Sequence, residues 1–152
     1  MPSIHASAVL VGARALLIRG PSGAGKSRLA LALLRQAEIG TPAFVRLVSD
    51  DRSLIAPHHG RLVVRPVPEI AGLIEVRGLG IRRLAHEPAA VVGWVVDLAA
   101  PDGERLPATV STEIALEGIR LPRLAVAAEA DPLALILAMI ATAPAGGSAS
   151  AA

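Results

Sequence analysis

A chain of 152 residues, 53% of them hydrophobic, is long enough for one domain with a sizeable core. It has no cysteine, which excludes disulfides and thiolate metal sites and makes the reducing cytoplasm the expected compartment. Net charge is only +2, no basic run exceeds Arg82-Arg83, and Phe44 and Trp94 are the sole aromatics, so the sequence carries neither a phosphate-backbone patch nor a base-stacking platform for nucleic acid.

Ile4 to Val11 and Ala15 to Arg19 are β-rich runs separated by Gly12-Ala13-Arg14, which predicts a hairpin. His5 opens the first run, and spacing alone makes it a surface histidine. The second run leads into Gly20-Pro21-Ser22-Gly23-Ala24-Gly25-Lys26-Ser27, a glycine, four free positions and then Gly-Lys-Ser, with an apolar helical pattern from Ser27 to about Glu38 behind it. Strand, glycine loop and helix is the order that polyphosphate binding needs. Glycines let successive N–H groups face one concavity, and the helix N-terminus adds partial positive charge. In that pattern Lys26 reaches the outer phosphates and the Ser27 hydroxyl ligates magnesium. Lys26 is also the one lysine among fifteen basic residues, kept where a compact ammonium is required although arginine is used everywhere else.

The helix is expected to stop at Gly40-Thr41-Pro42. Phe44 to Val48 then reads as a buried strand ending at Ser49-Asp50-Asp51, and in open α/β sheets ligands gather at the carboxyl ends of strands. Side chains alternate along an extended chain, so one aspartate can face a phosphate site while the other faces away. An acid here can hold magnesium or accept a proton from an attacking hydroxyl. The alternative is an Asp-Asp turn that caps the strand.

Arg52 to Ile55 and Arg61 to Arg65 form a second predicted hairpin around Ala56-Pro57-His58-His59-Gly60, whose histidines read as exposed turn residues. Pro66-Val67-Pro68 starts a short turn or helix leading to Leu73-Ile74-Glu75-Val76-Arg77-Gly78-Leu79-Gly80-Ile81. That stretch reads equally as a bulge with a Glu75–Arg77 pair or as a close approach to ligand. Val91 to Leu98 is a strong strand with Trp94 in the core, followed by the polar loop Ala99 to Arg105. Short strands are expected around Ile114–Leu116 and Leu124–Val126, turned by Glu117-Gly118. Asp131-Pro132 supplies an N-cap and first helical position for a closing helix to about Ala143. The Gly, Ser and Ala-rich residues 144–152 are expected to be a disordered tail, leaving 1–143 as the domain. Leu133 to Ala143 is shorter than the roughly twenty residues a bilayer requires, and no basic segment precedes an apolar stretch at the N-terminus, so no membrane partner or signal peptide is expected.

These pieces, in this order, resemble the catalytic domain of bacterial HPr kinase/phosphorylase. The likeness rests on the Ile4-His5 pair, the loop Gly20 to Ser27, Asp50-Asp51-Arg52 and, most specifically, Leu73 to Ile81, which is similar to the family's glutamate-containing signature. The resemblance implies an α/β fold: a P-loop-containing core of β-rich central sheets with flanking helices. It also implies ATP and Mg2+ as cofactors and serine phosphorylation of an HPr-like phosphocarrier of the phosphotransferase system. Residue by residue, it gives Lys26 a phosphate-stabilising role, Ser27 and Glu75 the magnesium, Asp51 support of metal and nucleotide, and Asp50 the proton-accepting role. His5 moves to the active site, and Arg105 matches a family active-site arginine.

Two departures matter. Full-length members carry an N-terminal domain with no counterpart in these 152 residues, which leaves a homo-oligomer compatible with the sequence and not required by it. The family's basic Pro-Val-Arg-Pro-Gly-Arg-Asn loop, tied to dephosphorylation, is replaced by Ala127-Ala128-Glu129-Ala130-Asp131-Pro132, so phosphorylase activity is expected to be weak or absent. Two rival readings share the glycine loop: a small-metabolite or nucleotide kinase, and a non-catalytic ATP-binding regulatory sensor.

Overall fold

The computed structural model describes residues 2–39 and 44–145. β1 (Ser3–Val11) and β2 (Arg14–Arg19) form the expected hairpin, and α1 (Lys26–Glu38) follows the glycine loop. Next come β3 (Val45–Ser49), the hairpin of β4 (Arg52–His58) and β5 (Arg61–Pro66), a 3-10 turn at Pro68–Ile70, and the hairpin of β6 (Leu73–Val76) and β7 (Gly80–Arg83). The chain closes with β8 (Ala90–Asp97), a 3-10 turn at Thr109–Thr112, β9 (Glu113–Leu116), β10 (Ile119–Ala125) and α2 (Pro132–Ala141).

The central strands run in the order β3-β1-β2-β8-β10. β2, β8 and β10 are parallel, and β1, antiparallel to both β2 and β3, makes β3 point the same way as the other three. The carboxyl ends of β2, β3, β8 and β10 therefore share one edge of the sheet, the edge from which the glycine loop and Asp50 emerge. β4 pairs with the start of β1 (His5↔Arg52) and β5 with the start of β8 (Val63↔Val91), so this hairpin folds back across one face of the sheet.

Alternation along the strands divides the core in two. Leu16 and Ile18 of β2 and Val96 of β8 pack with Leu29, Ala30 and Leu33 of α1 and Ile136 of α2. Ala15 and Leu17 of β2 and Val95 of β8 point the other way, onto Ile55, Leu62 and Val64 of the β4–β5 hairpin. Covered on both faces, β2 is a continuous apolar run, as strands in parallel company are. Truncating the fully buried Leu17 to alanine should cost about 2–5 kcal/mol.

Differences from expectation lie at turns. The second hairpin reaches His58 and turns through His59-Gly60 alone, both at positive φ, which makes the turn tighter than the predicted five residues. β10 begins at Ile119, five residues before the predicted strand, because Glu117-Gly118 is itself a two-residue turn with positive φ at both positions. Gly80 to Arg83 forms a strand whose four residues are all exposed, so no apolar alternation marks it. Asp131 caps α2 as expected, accepting from the Leu133 and Ala134 amides. The predicted helix stop at Gly40-Thr41-Pro42 and residues 146–152 of the predicted tail lie outside the described residues. Among the described residues no helix is long and apolar enough to cross a membrane.

Candidate active site

At the carboxyl edge of the sheet the glycine loop wraps the start of α1. Gly25 stands as its N-cap at φ 97°, in the left-handed region, and Gly23 has φ 83°. No side chain caps the helix, which leaves its first amides as donors for an anion. Lys26 folds back over the loop, its Nζ donating to the Gly20 carbonyl at 2.9 Å and the Pro21 carbonyl at 3.3 Å. This holds the ammonium at the rim of a cavity of about 650 Å³.

The glycine loop from Gly20 through Gly23, together with Gly25, Lys26 and Ser27, forms one wall of that cavity; His5, Asp51, Glu75 and Arg77 come from three other parts of the chain. His5 is exposed and lines this cavity. Glu75 and Arg77 form no ion pair with each other among the described residues, and both line the cavity. Ala24 packs beneath the loop, where its Cβ would lie 3.3 Å from a Cβ on Gly20.

The two adjacent aspartates part company. Asp50 is buried at 5% exposure and Asp51 is exposed toward the cavity. The Asp50 carboxylate accepts from the Ser27 hydroxyl at 2.8 Å, from the Ser7 hydroxyl at 2.7 Å and from the Glu75 amide at 3.1 Å. It ties β1, the start of α1 and β6 together at one point. Arg105 is not brought to the site: it is exposed in the loop between Asp102 and Pro107 and lines neither this cavity nor a smaller neighbouring one.

A charged cluster that the sequence did not disclose underpins the same edge. Arg19, immediately before the glycine loop, donates through Nε and Nη2 to the two oxygens of Asp97 at the end of β8, both at 2.8 Å. Arg123 of β10 donates through Nε to Asp97 and through its terminal nitrogens to Asp102 and the Ser111 carbonyl. Burial favours the neutral form of Asp97, but hydrogen bonds and charge from Arg19 and Arg123 outweigh it and hold the carboxyl below its ordinary value. Asp102 is also lowered, chiefly by its hydrogen bond to Arg123, while bonding to Asp102 and Asp97 raises the Arg123 guanidinium further. The available signal was Asp97 itself, a lone acid at the end of an apolar strand.

Residues 1–86 match the family model described as the HPr Serine kinase C-terminal domain. The chain belongs to this family. Among its relatives, the HPr kinase/phosphorylase of Clostridium beijerinckii is 40% identical over 78 residues, 51% of this chain and 24% of that protein. The HPr kinase/phosphorylase of Mycoplasmopsis pulmonis is 39% identical over 79 residues, 51% of this chain and 23% of that protein. The aligned part of this HPr kinase-type domain thus spans about a quarter of the length of the curated relatives it matches. The fold extends further than the sequence likeness. The solved structure of the Hpr(Ser) kinase/phosphatase from Coxiella burnetii superimposes with a TM-score of 0.74 at 23% identity, covering 93% of this chain and 95% of that one. The sequence match ends before β8, while the likeness of fold to that structure covers 93% of the chain.

The donor set suits magnesium. The Ser27 hydroxyl and the carboxylates of Asp51 and Glu75, which line the cavity, offer only oxygen, and a hard ion that retains waters and phosphate ligands needs one or two protein carboxylates. Among the described residues no group of three or more His, Cys, Asp and Glu side chains stands close enough together to hold a metal ion by itself.

Proposed function

We propose that the chain is an ATP- and Mg2+-dependent protein serine kinase acting on an HPr-like phosphocarrier. The observation that carries this reading is the buried Asp50 carboxylate held against Ser27, directly behind a cavity walled by the glycine loop, Lys26 and Glu75. In this reading the loop amides and the N-terminus of α1 bind the polyphosphate, and Lys26, held over the loop by the Gly20 and Pro21 carbonyls, neutralises its outer oxygens. Ser27 and Glu75 would hold magnesium, with Asp51 in support; the ion supplies charge neutralisation on the phosphates.

The acceptor serine oxygen attacks the terminal phosphorus, the bond to the bridging oxygen breaks, ADP leaves, and the serine proton passes to Asp50. A carboxylate offers about four acceptor positions. Ser7 and Ser27 contact Oδ1, and Ser27 and the Glu75 amide contact Oδ2, so the incoming hydroxyl takes the place of one of the two Ser27 contacts. Because the transition state is loose, positioning and charge supply most of the catalysis. His5 lines the cavity as a polar wall, and Arg105, exposed in the loop after β8, lies outside it.

The test is to incubate the purified chain with Mg-ATP and an HPr-type carrier and read the carrier's intact mass. One added phosphoryl group, lost with Asp50→Ala, is the expected result. Nucleotide binding with no transfer would instead support the sensor, and transfer to a small metabolite alone would support the metabolite kinase.

A further inference from the structure

Ser7 lies in the middle of β1 with no exposed surface, among the apolar residues Ala6, Ala8 and Val9. A buried hydroxyl must find partners, and both of its partners belong to one dipeptide. Its Oγ donates to Asp50 Oδ1 at 2.7 Å and accepts from the Asp51 backbone N–H at 3.2 Å. We infer that Ser7 is a positioning residue of the phosphoryl-transfer site, fixing the rotamer of Asp50 and the backbone turn that aims Asp51 into the cavity. This rests on the kinase reading above.

The turn needs fixing. Asp51 has φ 66°, and the Arg52 amide reaches back to the Asp50 carbonyl at 2.7 Å, closing a three-residue turn around Asp51. A non-glycine residue in such a turn is strained and persists only where its surroundings over-determine it. Here β1 supplies the restraint from two adjacent residues: the Ala6 amide donates to the Asp51 carbonyl at 3.1 Å, and Ser7 takes the Asp51 amide. The turn separates the directions of the two carboxylates, one inward to Ser27 and one outward to the cavity. Ser7 is the one side chain among the described contacts that touches both aspartates. Without its hydroxyl, Asp50 loses a donor that holds one of its oxygens and the Asp51 amide loses its acceptor, which leaves the proton-accepting position free to drift. Displacements of this kind cost turnover more than nucleotide binding.

Ser53 supplies the control. It is equally buried, sits on neighbouring β4, and bonds to the Ala6 carbonyl and to Ser49, touching neither aspartate. The experiment measures kcat, KM for ATP and melting temperature for the unmodified chain, Ser7→Ala, Ser7→Thr and Ser53→Ala, with Mg-ATP and an HPr-type carrier. Ser7→Ala should lower kcat by about 10- to 100-fold with KM for ATP within about threefold. Ser53→Ala should stay within about threefold in both, and Ser7→Thr, which keeps the hydroxyl, should recover most of the turnover. Turnover in Ser7→Ala within threefold of the unmodified chain, or an equal loss in Ser53→Ala, would overturn the inference. An unmodified chain with no transfer to any carrier would overturn the kinase reading, and this inference with it.

Discussion

The Ser27 hydroxyl lies 2.8 Å from both carboxylate oxygens of Asp50, joining residues 23 positions apart at the base of the cavity. The single hydroxyl proton is shared between the two oxygens in a three-centre bond, so this contact anchors Asp50 and can yield one oxygen to an incoming hydroxyl. Asp51, next in sequence, has no such anchor and faces the cavity. The two should therefore fail differently when neutralised. Asp50→Asn should lower kcat by about 10²–10⁴-fold, the span of general-base contributions, with a modest change in KM for Mg-ATP. Asp51→Asn should act mainly on KM and on the magnesium concentration needed for half-maximal rate. Steady-state kinetics at varied magnesium checks both, and a reversed pattern would assign the proton to Asp51.

Lys26 spans its own loop to the Gly20 and Pro21 carbonyls, so the ammonium is already desolvated on one side before phosphate arrives. Removing a preorganised donor of this kind costs about 10²–10³-fold in kcat. Lys26→Ala should fall in that range or below it. Lys26→Arg should recover little despite keeping the charge, because a planar guanidinium cannot occupy the point-charge position between two carbonyls of a tight loop. Full activity in either variant would remove Lys26 from the mechanism.

The Arg19–Asp97–Arg123–Asp102 cluster fastens the carboxyl ends of β2, β8 and β10 to one another and to the loop that carries Arg105. Asp97 and Asp102 both sit below their ordinary value of 3.8 when folded. Their unfolded forms bind protons more readily, so the stabilisation is full above that value and disappears as pH falls through the lower folded values. Asp97→Asn should melt several degrees lower at neutral pH, since it leaves partly buried arginine donors under-satisfied at about 1–3 kcal/mol. Its melting temperature should also fall less steeply than the unmodified chain's between about pH 5 and pH 2. Thermal melts across that range check both statements.

Local signals were legible where one residue type has few alternatives. The glycine loop, the Asp131 cap with Pro132 behind it, and the apolar runs of β1, β2, β3 and β8 all follow from backbone sterics, capping and periodicity over a few residues. The β6–β7 hairpin was not legible, because β7 is wholly exposed and its pattern carries no apolar face. Nor were the long-range polar pairs. Ser7 reads as an ordinary small residue of a strand until β3 is placed beside β1 and delivers Asp50 to it, 43 positions away. Arg19 and Arg123 were two of many arginines until parallel pairing through β8 brought both to Asp97. Spacing alone put His5 on the surface, and the family resemblance moved it to the site; the structure leaves it exposed, on the wall of the cavity.

The loop after β10 bears on the reverse reaction. Ala127 and Ala128 lie across a cavity of about 300 Å³ from Gly23 and Ala24 of the glycine loop, and Arg28 is the sole charged side chain in its lining. The Asp131 carboxylate is committed to the cap of α2, and Glu129 is exposed at the loop's tip. Phosphate-dependent dephosphorylation needs inorganic phosphate to attack the phosphoserine phosphorus, releasing the serine oxygen and forming pyrophosphate. Two like-charged groups must then meet, which charge-assisted donors normally permit. A loop of alanines and one glutamate offers few. Removal of phosphoryl from a phosphorylated carrier by inorganic phosphate should therefore run at least about tenfold slower than forward transfer, a difference of about 1.4 kcal/mol in barrier. Ala127→Arg combined with Glu129→Arg should raise the reverse rate while leaving the forward KM for ATP within about threefold. Pyrophosphate release and carrier mass, followed together, check it; fast reversal by the unmodified chain would mean that the loop amides alone suffice to hold phosphate there.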